Sequence, residues 1–297
     1  MTADEASVEI ARWEALGEYR TLLGSRIFTM SFPPLDRDTV EPLVVLHGFP
    51  TSSYDFHAVV DELRRDRAVH LVDFLGYGLS DKPDRAYTIS MQADLVAAFL
   101  GEIDLTRFAL LTHDMGDTIG GELLARVMEG TWVADVTQRV VTNGSIYIEM
   151  AHLSAGQQLL LALPDERLDA DGFVDAASVG AGVAATFSAQ SHVDARELDI
   201  IARFVAHDDG HRILPRLIRY IDERRRDERR FTGAIEAHAS PLAILWGADD
   251  PIAVVAMSDR LQQARPDATL AVLDGVGHYP MVEAPARFAR AVTEALR

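Results

Sequence analysis

Residues 108–125 read Phe108-Ala-Leu-Leu-Thr-His-Asp-Met-Gly-Asp117, then Thr118-Ile-Gly-Gly-Glu-Leu-Leu-Ala125. Four apolar residues run into a polar cluster, and an Ala/Leu-rich stretch of helical spacing follows, with Gly120 and Gly121 inside it. The pattern predicts a buried strand, a turn tight enough to need small neighbours, and then a helix over about 117–128. Such a strained strand-to-helix turn can expose a reactive side chain above the end of a sheet, most often the serine of G-x-S-x-G. Here the central residue is Asp114, with Thr112 and Gly116 as the small flanking positions.

Aspartate in that place changes the chemistry to expect. A serine hydroxyl needs a base to take its proton before it attacks. A carboxylate, with an ordinary pKa of about 3.9, is ionised at pH 7 and attacks without one. Attack on an ester carbonyl would give an unfavourable anhydride, whereas displacement at a saturated carbon gives an ordinary ester. The residue therefore points to opening of an epoxide or displacement of a halide. The plainer reading, that Asp114 is a turn residue or a helix N-cap, stays open on this stretch alone.

Outward from the turn, strands alternate with helical patterns. Residues 4–15 have partial helical spacing, and Tyr19–Leu23 with Arg26–Phe32 reads as a hairpin. Leu43–Leu46 is a short apolar run, followed by His47-Gly-Phe-Pro50 and a helical stretch over 54–63. Strands are predicted at 68–72, 108–112, 136–142, 242–246 and 269–273, with helices over 90–100, 117–128 and 253–264 and from about 283. That rhythm implies an α/β fold with a mostly parallel sheet covered on both faces. Between 145 and 238 the alternation stops and helical stretches take over, which predicts a helical cap inserted between two core segments, 1–144 and 239–297.

Length and composition are compatible with that architecture. The chain has 297 residues, 48% of them hydrophobic and 25% charged, enough for a large core. There is no cysteine, so disulfides, thiolate nucleophiles and Cys-ligated metals are excluded. A net charge of −18 argues against nucleic acid and anionic membranes as partners. The acidic start Met1-Thr-Ala-Asp-Glu5 lacks the basic-then-apolar order of a signal peptide, and no apolar run reaches a membrane span, so a cytoplasmic protein is expected. A homodimer is left open.

Further motifs fall in a telling order. His278 lies in the Gly-rich stretch Leu273-Asp-Gly-Val-Gly-His-Tyr-Pro280, just past the last predicted strand. Asp250, or its neighbour Asp249, follows the strand at 242–246 and can orient that histidine. The loop at His47–Pro50 can offer the Phe49 N–H to an oxyanion, with the Met115 N–H as the second donor. Nucleophile, acid and histidine in this chain order resemble the α/β-hydrolase superfamily. His47-Gly-x-Pro50, Asp73-x-x-Gly-x-Gly-x-Ser80 and His113-Asp114-x-Gly116 are similar to motifs of its epoxide hydrolase and haloalkane dehalogenase branch.

That resemblance implies an α/β-hydrolase fold with no cofactor and no metal, and the largely apolar cap over 151–190 favours an uncharged, hydrophobic small-molecule substrate. The resemblance also implies a triad of Asp114, His278 and Asp250, with Tyr220 as a cap tyrosine donating to the departing oxygen. Tyr147 is the candidate for a second such tyrosine, and His47 and His113 are candidate substrate contacts. The chain departs from the halide-handling members: Met115 stands where they carry Trp or Arg, and Phe49 where many have Asn. An epoxide is therefore expected before a haloalkane, with a catalytically silent ligand-binding scaffold as the alternative of another class. Two clusters read as surface features: Glu223–Arg230 as a solvated helix face, and His207, Asp208, Asp209 and His211 as capping residues in a loop.

Overall fold

The computed structural model describes residues 3–36, 40–169 and 174–297. Met1 and Thr2, residues 37–39 of the Pro-punctuated loop and residues 170–173 of the expected cap lie outside them. Helix α1 (Ala3–Glu14) leads into the hairpin β1 (Glu18–Leu22) and β2 (Ser25–Phe32). Its turn is Leu23-Gly24, with φ of 50° and 82° and Leu22 paired to Ser25, one residue earlier than the spacing suggests. Two positive-φ residues match the twist of a two-residue hairpin loop.

Strand β3 (Leu43–Leu46) is followed by a 3-10 turn over Ser53–Phe56 and the short helix α2 (Val60–Leu63), in place of the single helix expected over 54–63. Side chains hold the turn: the Ser53 N–H donates to the Asp73 carboxylate at 2.8 Å, and Ser52 caps the turn by accepting from the Tyr54 N–H. Next come β4 (Val69–Val72), α3 (Ile89–Glu102), β5 (Arg107–His113), α4 (Met115–Glu129) and β6 (Asp135–Thr142).

The helical excursion contains α5 (Ala155–Ala162), α6 (Ala176–Ala184), α7 (Ala195–Ala206), α8 (Leu214–Leu217) and α9 (Tyr220–Ala237), with a 3-10 segment over His207–Ile213. Asp208 and Asp209 take positive φ there, and Asp209 pairs with Arg167. Strand β7 (Leu242–Gly247), α10 (Ala256–Ala264) and β8 (Thr269–Leu273) restore the alternation. The last helix is split at Ala284 into α11 (Pro280–Glu283) and α12 (Pro285–Ala295), because Pro285 cannot continue the backbone ladder.

One sheet of eight strands runs in the order β1-β2-β4-β3-β5-β6-β7-β8. Pairing is antiparallel from β1 to β4 and parallel across the rest. Strands β3 and β7 are buried along their whole length, as the continuous apolar runs require for a sheet covered on both faces. Parallel strands send their C-terminal ends to one edge. The loops after β3, β5, β7 and β8 therefore converge, carrying His47–Pro50, Asp114, Asp250 and His278. The fold expected from the sequence, a mostly parallel sheet flanked by helices, is the fold observed.

Close packing at β5–α4 rests on glycine. A Cβ at Gly116 would lie 2.5 Å from the Leu46 carbonyl oxygen and 2.7 Å from that of His47. Those are backbone atoms of a central strand and cannot give way. A Cβ at Gly101, in α3, would meet nothing within 4 Å. Gly116→Ala should lower the unfolding midpoint, by roughly 1–3 kcal/mol of overpacking. Gly101→Ala should raise it, by about 0.5–1 kcal/mol from reduced chain entropy. Thermal unfolding of the two variants checks the contrast, and equal effects would contradict it.

Candidate active site

Asp114 follows β5 directly, and α4 begins at the next residue rather than near 117. Its φ of 50° and ψ of −112° are strained for a residue with a side chain, and it makes no capping hydrogen bond. The N-cap reading is thereby removed, since a cap side chain accepts from the helix N–H groups. The carboxylate accepts instead from the Phe49 N–H, at 2.8 Å from Oδ2. A Cβ on Gly48 would sit 2.7 Å from Asp114 Cβ, so the loop approaches the carboxylate as closely as a bare backbone allows. Met115 is buried and its sulfur accepts from the Tyr77 hydroxyl at 3.3 Å. Among the described residues, no hydrogen bond joins its N–H to the Asp114 carboxylate.

The loop that carries Phe49 is fixed from behind. The Phe74 N–H donates to His47 Nε2 at 3.1 Å, which places the ring proton on Nδ1, and Nδ1 donates to the Gly48 carbonyl at 2.9 Å. Burial pulls the His47 pKa down, so the ring is a neutral bracket. Asp73 accepts from the Ser53 and Leu79 N–H groups, both at 2.8 Å, and Ser80 Oγ donates to the Asp73 carbonyl at 2.7 Å. Gly78 turns there with φ of 50°, and a Cβ on it would be 2.1 Å from the Asp73 carboxylate. The Asp73–Ser80 motif is thus a self-bonded turn that supports the loop.

His278 Nδ1 donates to Asp250 Oδ2 at 2.8 Å, which leaves Nε2 for other chemistry. Asp250 is held by the Ile252 and Ala253 N–H groups on Oδ1, at 2.7 and 3.0 Å, and by Asn143 Nδ2 on Oδ2, at 2.7 Å. Asp249, the other candidate acid, accepts instead from Ser188 Oγ, and among the described residues no hydrogen bond joins it to the imidazole. His113 is fully buried, and its Nε2 donates to the His278 carbonyl at 2.8 Å. Desolvation, with His278 adding, pushes His113 well below its ordinary pKa, so it is a neutral prop for the His278 loop.

His278 itself is raised to about 9. Burial alone would pull it down; the Asp250 carboxylate outweighs that, with Asp114 and Glu283 adding. The imidazole is therefore an imidazolium at neutral pH.

Tyr220 opens α9 and reaches the same corner. It is 3% exposed, its ring lies 5.7 Å from that of Phe49, and burial followed by the Asp114 charge pushes its phenol up, so it keeps its proton. Among the described residues nothing accepts from its hydroxyl. Tyr147 is placed otherwise. Its hydroxyl donates to Glu236 at 2.9 Å and Arg260 stacks on its ring at 4.0 Å, so the structure does not bring it to Asp114.

Above His278 is a cavity of about 160 Å³. Phe49, His278 and Tyr279 form its floor, and Leu160, Val179 and Val183 from α5 and α6 are part of its walls. Asp114 and Tyr220 are not among its lining residues; Asp114 adjoins it through Phe49, whose amide donates to it. The lining carries no carboxylate, lysine or arginine. Among the described residues no group of three or more His, Asp or Glu is placed to hold a metal ion, and no helix is long and apolar enough to cross a membrane.

Two residues of the site escape the sequence reading. Asn143 has φ of 49° after β6, accepts from the Gly247 N–H at 3.0 Å and donates to Asp250; its one signal is the Asn-Gly dipeptide at a strand end. Arg224, 1% exposed, contradicts the reading of Glu223–Arg230 as a wholly solvated face, because α9 turns that one position into the elbow.

Comparison with known proteins follows the same outline. The family model described as "Alpha/beta hydrolase family" matches residues 43–291. "Putative hydrolase LipZ" of Mycobacterium tuberculosis is 35% identical over 98% of this chain and 99% of its own. The mesoderm-specific transcript protein of Mus musculus is 30% identical over 97% of this chain and 88% of its own. Among solved structures, a membrane phospholipase A described as a bacterial virulence factor superposes with a TM-score of 0.75 at 18% identity, covering 99% of this chain and 92% of that one, a likeness of fold alone.

The histidine–carboxylate pair has a measurable consequence for stability. His278 binds its proton more tightly folded, at about 9, than at its ordinary 6.5. Its contribution is therefore complete below about pH 6.5 and lost as pH rises towards 9. Asp250→Asn should cost most stability below pH 6.5, and the gap to wild type should narrow between 6.5 and 9. Denaturant unfolding of both proteins across that range checks this; a gap constant with pH would mean that His278 is not held charged by Asp250.

Proposed function

The chain belongs to the alpha/beta hydrolase family, and from that premise we propose that it opens an uncharged, hydrophobic epoxide to a diol through a covalent ester on Asp114. The observation that carries the reading is where the Phe49 N–H points. In a serine hydrolase the oxyanion forms on the substrate's carbonyl oxygen, away from the nucleophile. When an aspartate is the nucleophile, the ester carbonyl attacked by water is its own, and the oxyanion forms on its own oxygen. The Phe49 donor is already on Asp114 Oδ2 at 2.8 Å, which suits the second case.

Asp114 Oδ1 attacks an epoxide carbon, the ring C–O bond breaks with its electron pair on oxygen, and Tyr220 gives that oxygen its proton. The Nε2 proton of the His278 imidazolium, released once the Asp114 charge is gone, replaces it on Tyr220. Water then donates a proton to His278 Nε2 and adds to the Asp114 carboxyl carbon. The tetrahedral oxyanion rests on Oδ2 against the Phe49 N–H, with the Met115 N–H as the expected second donor. Collapse expels the diol oxygen, which takes its proton from His278, and the Asp114 carboxyl then gives its own proton to His278, restoring the resting pair.

The electrostatics support this order. In the resting state Asp114 helps to hold His278 protonated, and a protonated imidazole is no base. Alkylation cancels the Asp114 charge, so it lowers the His278 pKa and frees the base just when water needs one.

The cavity supports the substrate class. Apart from His278 its lining is uncharged and largely apolar, with no carboxylate, lysine or arginine to bind a charged substrate. For scale, a protein cavity of about 150 Å³ accommodates benzene, so an aryl epoxide is a fitting probe for one of about 160 Å³. The helices α5–α9 then act as the cap that shields the ester from bulk water.

His278→Gln should react once with styrene oxide and stall, leaving the whole epoxide mass on the peptide that carries Asp114. Intact-protein and peptide mass spectrometry reads this directly. A haloalkane under the same conditions would leave its mass minus the halogen. No adduct on Asp114 with either, while wild type consumes the compound, would sink the covalent reading.

A further inference from the structure

Helix α9 carries Glu223-Arg-Arg-Arg-Asp-Glu-Arg-Arg230. Arg225, Arg226 and Arg229 are exposed and paired to neighbouring acids on their own helix. Arg230 bridges to Glu122 and Glu129 of α4. Arg224 differs from all of them: it is buried, and among the described residues no carboxylate lies within ion-pairing distance of it. Removing a cation from water without a partner is strongly unfavourable. Some negative charge nearby must offset that cost.

The guanidinium is fixed in place. Its Nε and Nη2 donate to Thr118 Oγ1 at 2.9 and 2.6 Å, and Nη2 lies 3.5 Å from the Asp114 carbonyl oxygen. Its carbon is 4.9 Å from the centre of the Tyr220 ring, one turn earlier on the same helix, within cation–π range. Two acids share this corner. Asp117 is buried with one carboxylate oxygen unpartnered and the other bonded to Thr112, and desolvation raises its pKa well above the ordinary value, which disfavours its charge. Asp114, whose carbonyl oxygen Nη2 approaches, is the better-placed anion.

We propose that Arg224 is the resident counter-charge of the Asp114 carboxylate and the residue that positions Tyr220 against it. The inference rests on Asp114 being the nucleophile. During ring opening negative charge leaves the carboxylate and appears on the oxygen that Tyr220 protonates. Arg224, adjacent to the Asp114 main chain and stacked on Tyr220, stays close to the charge at both ends of that transfer. Water attack on the ester happens on the side of His278 and Asp250, which Arg224 does not touch. The residue should therefore matter to the first half-reaction and little to the second.

The test has two arms. The first needs no substrate: a thermal-unfolding cycle of wild type, Arg224→Met, Asp114→Asn and the double variant. Arg224→Met should lower the midpoint in the wild-type background and leave it unchanged or raise it with Asn at 114. The same loss in both backgrounds would make Arg224 a packing residue and overturn the proposal. The second arm is single-turnover reaction with styrene oxide. Arg224→Met should slow formation of the Asp114 adduct by roughly 100-fold, leave decay of the ester within about threefold, and be largely rescued in Arg224→Lys, which restores the charge. Wild-type alkylation by Arg224→Met would overturn the proposal. Coupling in the cycle with no adduct in the wild-type protein would uphold the counter-charge and reject the epoxide reading instead.

Discussion

A backbone N–H at Phe49 and a carboxylate oxygen at Asp114 meet at 2.8 Å, and two separate turns have to converge for that to happen. One carries Asp114 in a strained conformation; the other follows β3. Each turn has a glycine at the point of contact, Gly48 against Asp114 and Gly116 against the β3 carbonyls. Side chains at either place would push the donor off the carboxylate. The strain at Asp114 is held by packing on both sides, since β5 pairs with β3 and β6 and α4 is buried from Met115 to Ala125.

Around this contact the titratable groups are sorted by burial and partner. His47 and His113 are driven neutral and serve as brackets for the Phe49 and His278 loops. His278 is held charged by Asp250. Burial raises the Asp117 pKa, and the Arg224 guanidinium lies next to the elbow. Three histidines lie within one site, yet of these His278 is the one that lines the cavity; the unpartnered Nδ1 of His113 is buried. Division of labour here comes from hydrogen-bond partners and not from residue type.

Much of this was legible in the sequence. The apolar run before Asp114, the small residues around it and the chain order of Asp114, Asp250 and His278 fix the sheet and the three loops that converge. Local pattern carries those features. Contacts made by one side chain across a hundred residues leave no local trace. Arg224 looks like its neighbours in a charged helix, and only the packing of α9 on α4 separates it from them. Asn143 was hidden for the same reason, since its partners lie on β7, the loop after it and the loop after β8. Tyr147 failed differently: its position past β6 was right for a site residue, but Glu236 takes its hydroxyl. The Asp249 or Asp250 choice likewise needed the structure, in which Ser188 engages the first and His278 the second.

The central claim is that Asp114 itself becomes the ester that water opens. A single turnover of the wild-type protein in ¹⁸O water, with enzyme in excess over styrene oxide, tests it most directly. The expected result is ¹⁸O in the Asp114 carboxylate and an unlabelled diol, because water adds to the Asp114 carboxyl carbon. Label found in the diol, with none in Asp114, would contradict it: water would then attack the substrate directly, with Asp114 acting as a base.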